Sequence, residues 1–175
     1  MAGNRETLSV EEARAKFVQA WGNFGSSWGI NRTMAQIHAL LLIAPEALSA
    51  DQVMEQLNIS RGNANMNLRA LIDWGLVSKV LKLGERREYF VAEKDIWQVA
   101  KRITRERKKR ELSPMQDFLQ ELSTIGIADN SAEAKTLTST VKDVGRFANS
   151  ADKLLDRIMK ADETWFFKIL MKIIR

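Results

Sequence analysis

No cysteine occurs in the 175 residues, and histidine appears once, as His38. The chain therefore has no disulfide framework, no thiolate metal site and too few histidines for an imidazole cluster. Nor does any run approach the roughly 18 apolar residues of a membrane span. The opening Met-Ala-Gly-Asn-Arg-Glu has no apolar centre of the kind a signal peptide carries. These absences lead us to expect a cytoplasmic chain without stable membrane insertion. No nucleophile elbow, phosphate-binding glycine loop or metal-ligand cluster is found, so catalysis is the weakest functional class and no cofactor is expected.

What is present is ample apolar residue for a core, 45% of the chain, and a formal net charge of +5. Its placement matters more than its size. Between Leu76 and Leu112, twelve Lys and Arg stand against six Asp and Glu, an excess larger than that of the whole chain. A basic concentration of this kind suggests contact with a polyanion.

Immediately before it lies the stretch on which the rest turns, Ser60 to Gly75. Ser60 can cap a short helix, Ala64, Leu68 and Leu71 make one apolar stripe, and Gly75 supplies a left-handed stop. At 100° per residue the opposite face carries Gly62, Asn63, Met66 and Ala70, with Asn65 and Arg69 on one flank and Asn67 on the other. A solvated helix face ordinarily carries Glu and Lys, and each Asn lowers helix propensity. Three asparagines in five residues therefore point to a recognition task. Asn matches the adenine edge, Arg matches guanine, and Met packs on a thymine methyl in the major groove. Gly62 would let backbone approach phosphate. The alternative is an Asn-rich surface helix with no partner.

Taken in order, the chain begins with a frayed arm and a capping box, Ser9 with Glu12, opening a helix whose Ala13, Phe17, Trp21, Phe24 and Trp28 share a face. That aromatic stripe reads as core or dimer packing. The sharper reading is a lining for an organic cation, formed by Trp21, Phe24, Trp28 and the later Trp97. Asn31 caps a second helix with Met34, Ile37, His38, Leu41 and Leu42 inward, interrupted by Pro45. Ser49 and Gln52 open a third, with Val53, Met54 and Leu57 inward, and Asn58-Ile59 turns the chain into Ser60. Two short helices joined by a tight turn are helix-turn-helix grammar. Leu76 to Val91 then reads as a β-hairpin with Gly84 in its turn. Lys82, Arg86 and Arg87 sit at the tip, where a wing would touch the sugar-phosphate backbone, although any solvated hairpin also carries charge.

The run Gly62-Asn63-Ala64-Asn65-Met66-Asn67-Leu68-Arg69 is followed by Trp74-Gly75-Leu76-Val77 and Gly84-Glu85-Arg86-Arg87-Glu88-Tyr89. Together these resemble the GbsR branch of the MarR-type bacterial transcriptional regulators, and the similarity extends upstream through Trp21-Gly22 and Arg32 to Ile43. The resemblance implies a winged-helix homodimer on palindromic operator DNA and a small effector. Some members of the branch repress genes for osmoprotectant uptake or for glycine betaine synthesis from choline, which makes a choline- or betaine-like cation a candidate effector.

Beyond the wing, Asp95 caps a helix whose second half, Lys101 to Arg110, is dominated by positive charge. Solvated cations near a helix C-terminus explain it, as does phosphate contact. Ser113-Pro114 restarts a helix with Pro at the first position. From Asn130, Ala134, Leu137, Val141, Val144, Ala148, Ala151, Leu155 and Ile158 alternate by three and four, a long packing seam that we assign to a homodimer interface. Trp165 and Phe166, in the apolar tail to Arg175, join that interface, or else the tail is a basic amphipathic membrane helix.

The expectation is a mainly α-helical fold with a small β-hairpin wing. Residues 1–112 would form a winged helix-turn-helix with an N-terminal dimerisation helix, and 113–175 a helical dimerisation and effector region. Expected DNA contacts are Ser60, Arg61, Gly62, Asn63, Asn65, Met66, Asn67, Arg69, Lys82, Arg86 and Arg87. The function expected is a dimeric, sequence-specific repressor. A winged-helix module for protein or membrane surfaces, without sequence-specific DNA binding, is the alternative.

Overall fold

The computed structural model describes residues 7–125 and 131–161. Contacts divide the chain into two compact units, Met1–Val99 and Ala100–Arg175.

The first unit is built around α2 (Arg32–Ile43), capped by the Asn31 side chain at Met34 N. Met34, Ala35, Ile37, His38, Ala39, Leu40 and Leu41 are all buried. Such a helix needs neighbours on several sides, and it has α1 (Val10–Ser27), α3 (Ala50–Leu57), α4 (Arg61–Asp73) and β3 (Glu88–Ala92). The capping boxes Ser9/Glu12 and Ser49/Gln52 start α1 and α3 as expected. Asn58, at φ 50°, ends α3 in the left-handed region that Asn tolerates, which lets Ser60 cap α4 only a few residues on. Against α2, α1 comes close because it lacks side chains there: a Cβ on Gly25 would sit 2.6 Å from the Ala35 Cβ.

β2 (Val77–Leu81) and β3 form the antiparallel wing, with Gly84 at φ +82° in the turn. A short β1 (Leu48–Ser49), which the sequence pattern did not suggest, pairs with the other edge of β3 through Leu48↔Phe90 and Ser49↔Tyr89, giving the order β1-β3-β2. Lys94, just past β3, reaches back to the end of α2. Its Nζ donates to the carbonyls of Leu41, Leu42 and Ala44 at 2.8, 2.7 and 2.8 Å. A cation there satisfies acceptors that a helix C-terminus leaves open and complements the macrodipole.

His38 is buried within this core, its ring 6.0 Å from that of Trp21, and its Nε2 has no hydrogen-bond partner. Burial, reinforced by the positive Lys94, lowers its pKa from 6.5 to about 4.

The boundary between the units falls within α5 (Ile96–Arg107), which is started by Asp95 accepting from Trp97 N and Gln98 N; in the second unit α5 runs through a π-helical turn (Lys108–Leu112) into α6 (Ser113–Ile125). Ser113 therefore does not restart the helix as expected. It keeps right-handed helical dihedrals. Pro114 would clash with the carbonyl four residues back in a regular α-helix, and the wider π turn takes up that proline without a break. α7 (Ala132–Lys160) lies antiparallel on α6, since Gln116 bonds Asn149 while Lys108 pairs with Asp152 and Asp156 farther along.

The seam expected on α7 is divided. Ala134 and Ala148 are buried, and Val141, Ala151, Leu155 and Ile158 are half-buried, but Leu137 (53% exposed) and Val144 face solvent. Phe147 (74%) and Leu154, outside the expected seam, are more exposed still. Trp165 and Phe166 lie outside the described residues.

Two stability outcomes follow from these contacts. Gly25→Ala should lower the urea midpoint of the first unit although Ala gains about 1 kcal/mol of helix propensity, whereas Gly145→Ala, where nothing lies within 4 Å of the new methyl, should raise that of the second. For His38 the unfolded chain takes the proton first. Its contribution is complete above pH 6.5 and is lost as pH falls from 6.5 toward 4, on the order of 3 kcal/mol in all. Urea titrations across that range should show a flatter acid limb in His38→Leu, and an unchanged limb would place the titration elsewhere.

Candidate nucleic-acid interface

Helix α4 presents two unlike faces. Ala64, Asn67, Leu68 and Leu71 are buried against the core, a set spaced i, i+3, i+4, i+7 that defines one side of a helix. Arg61, Gly62, Asn65, Met66 and Arg69 are exposed, with Met66 61% accessible, and Asn63 is half-buried. Ser60 caps the helix by accepting from Asn63 N at 3.3 Å, and a Cβ at Gly62 would meet nothing within 4 Å.

Asn67 is the correction on this helix. Expected on the flank of the reading face, it is 3% exposed, because a residue three after Ala64 and four before Leu71 lies on the same side of the helix as both. Its amide is satisfied within the helix, donating to the Asn63 carbonyl at 2.9 Å and to Asn63 Oδ1 at 2.6 Å. Asn67 is thus out of reach of a base edge.

The wing stands beside α4 through a carboxylate that sequence reasoning missed. Asp51, in the first turn of α3, pairs with Arg61 at 3.3 Å and with Arg87 at 4.0 Å, so one acid links the start of α4 to the wing. Both arginines remain largely exposed. Lys82 lies over the Tyr89 ring, 4.3 Å from its centroid, with Glu46 3.7 Å away. Lys79 pairs with Glu88 across the strands at 2.8 Å. The Tyr89 hydroxyl donates to Glu85, which raises its pKa. Arg86 is exposed, and so are Leu81 and Leu83 on either side of Lys82. The structure therefore gathers Ser60, Arg61, Gly62, Asn65, Met66 and Arg69 on one helix, with Arg87 tied to them through Asp51. Lys82 and Arg86 are carried on the same hairpin.

The aromatic residues behave differently. Phe17, Trp21, Phe24 and Trp28 rest on one another along α1, with successive centroids 5.6, 6.2 and 5.2 Å apart, and the rings of Phe24 and Trp28 are about half exposed. Trp97 is half-buried on α5. Among the described residues no group of three His, Cys, Asp or Glu could hold a metal ion, and no helix is long and apolar enough to cross a membrane.

Two helices joined through a left-handed Asn, the second with a polar exposed face, followed by a basic antiparallel hairpin, define a winged helix-turn-helix. Its known counterparts agree with that class. The chain is 27% identical over 97 residues to the HTH-type transcriptional repressor GbsR of Bacillus subtilis (strain 168), a match covering 55% of this chain and 53% of the relative. It is 28% identical over 86 residues to the HTH-type transcriptional regulator MmpR5 of Mycobacterium tuberculosis (strain ATCC 25618 / H37Rv), covering 49% and 52%. The chain thus spans about half the length of the curated relatives it matches. A crystal structure described as a transcriptional regulator superposes with a TM-score of 0.64 at 19% identity, over 84% of this chain and 95% of that one. No protein-family profile matches. The likeness to HTH-type regulators seen in the α4 and wing motifs is thereby shown.

Proposed function

We propose that the chain is a dimeric, sequence-specific DNA-binding regulator of transcription, a repressor acting in the cytoplasm. The observation that carries this reading is the exposed face of α4, where Asn65, Met66 and Arg69 stand free on a helix whose other side is fixed in the core. Side chains that match base edges, held on a rigid element, can read a major groove. Lys82, Arg86 and Arg87 on the wing meet phosphate, and Ser60, Arg61 and Gly62 do so at the start of α4.

The second copy of the chain binds through α6 and α7. Met115, Phe118 and Leu122 on α6 and Leu137, Val144, Phe147 and Leu154 on α7 are exposed apolar residues. Each set lies about a quarter turn from its helix's packed face, in the same sense, and in an antiparallel pair both sets emerge on one side. Leu137 and Val144, like Phe147 and Leu154, are seven residues apart, the spacing at which helices of a bundle interlock. Residues 1–112 then supply the reading head and 113–175 the dimerising part. A choline- or betaine-like cation resting on the exposed rings of Phe24 and Trp28 is the proposed effector, with Trp21 and Trp97 as further candidates.

The deciding experiment titrates the protein with duplexes from around its own coding sequence and with random duplexes, at two salt concentrations. Mass is determined in the same buffer, with and without choline. A specific excess of about a thousandfold carried by a dimer is expected, with Phe147→Glu yielding monomer and choline releasing the specific duplex. Equal salt-sensitive binding to both DNAs would favour the protein- or membrane-surface module instead. Asn65→Ala should cost on the order of 1–3 kcal/mol and relax preference at one base pair, whereas Arg86→Ala should weaken all sequences and reduce the salt slope by about one. A uniform loss from both would remove Asn65 as a reader.

A further inference from the structure

We propose that Asn67 sets base preference without touching DNA, by fixing the amide of Asn63 so that this residue offers the groove a hydrogen-bond donor. This deepens the regulator reading and rests on α4 entering the major groove.

The constraint begins with a main-chain carbonyl. The Asn63 C=O can only accept, and the Asn67 amide lies 2.9 Å from it, so the nitrogen end of Asn67 must face Asn63. That same nitrogen is 2.6 Å from the end of the Asn63 side chain. Two NH2 groups cannot meet at such a distance, so the atom there is Oδ1. One backbone acceptor thus determines the flip of two amides in succession. Asn67 is enclosed on the same face as Ala64, Leu68 and Leu71, and turning the Asn63 amide over would strand a buried donor. The main chain of Asn63 is itself held by its N–H on Ser60 Oγ. Its NH2 is left turned away from Asn67, on a residue that is half-buried rather than enclosed.

A freely flipping asparagine serves donors and acceptors alike. With its polarity fixed, Asn63 favours the acceptors of the major-groove edge, purine N7, guanine O6 or thymine O4, and disfavours cytosine, which presents only its N4 amino donor there. Asn67 is then a positioning residue, and its effect is confined to one base pair.

The test selects duplexes from a randomised pool with the protein and with Asn67→Leu, a change that keeps the same branched arrangement of side-chain heavy atoms on an already apolar face and needs no partner. Thermal melting checks that the variant is folded. The wild type should disfavour cytosine about tenfold at one position of the site, and Asn67→Leu should lose that discrimination while keeping the others. An unchanged profile in a folded variant, or a uniform loss over all positions, would overturn the proposal. Side-chain amide exchange measured by NMR on the free protein tests the lock apart from DNA: both Asn67 protons should exchange slowly, and one should accelerate in Asn63→Ala. Fast exchange of both in the wild type would overturn the lock and the proposal with it, while leaving the regulator reading standing. If the wild type shows no sequence preference while exchange is slow, it is the regulator reading that has failed, and the base preference falls with it.

Discussion

Burial of α2 is the constraint on which the first unit depends. A helix with apolar residues on most of its circumference is stable only when covered, and each cover is a different element of the head. α1 covers one side at the close range that Gly22 and Gly25 permit, α3 and α4 cover another, and β3 closes a third. α4 is therefore positioned by its inner stripe, Ala64, Leu68 and Leu71, with its outer residues relieved of any packing duty. Asparagines at Asn63 and Asn65 lower helix propensity, and the core supplies the stability that they do not.

The polar network works the same way at smaller scale. Asp51 links Arg61 to Arg87, Lys94 closes α2 from beyond the wing, and Asn67 completes Asn63. Each joins residues that are distant in sequence or hidden on the wrong face of a helix, and each holds a side chain that faces solvent or a helix end that would otherwise be open. The exposed Asp51 pairs add little stability, and their effect here is on placement.

These cases mark where the sequence was legible and where it was not. Capping boxes, the 3.6-residue period and the Gly84 turn act within a few residues, so α1 to α4 and the wing could be read along the chain. β1 could not, because a two-residue strand has no periodicity and exists only by pairing with β3. Asn67 reads as a flank of the outer face when residues are counted around α4, yet it borders the inner stripe, where the structure satisfies its amide through a neighbour one turn away. Ser113-Pro114 reads as a helix start because sequence does not reveal a π turn. On α7 the alternation by three and four was real, but it merged the face that α6 covers with the face that stays bare.

Pairing within the protein also changes how many of its positive charges a polyanion would meet. Lys94 is occupied by three carbonyls, Lys79 by Glu88, and Lys108 by Asp152 and Asp156, whose hydrogen bonds raise its pKa. Counterion release registers only cations that reach phosphate. A tally of lysines and arginines from the sequence would thus overstate the thermodynamic valence of this surface. If α4 and the hairpin tip meet DNA as proposed, the salt dependence would report the cations that reach phosphate rather than the number present in the sequence.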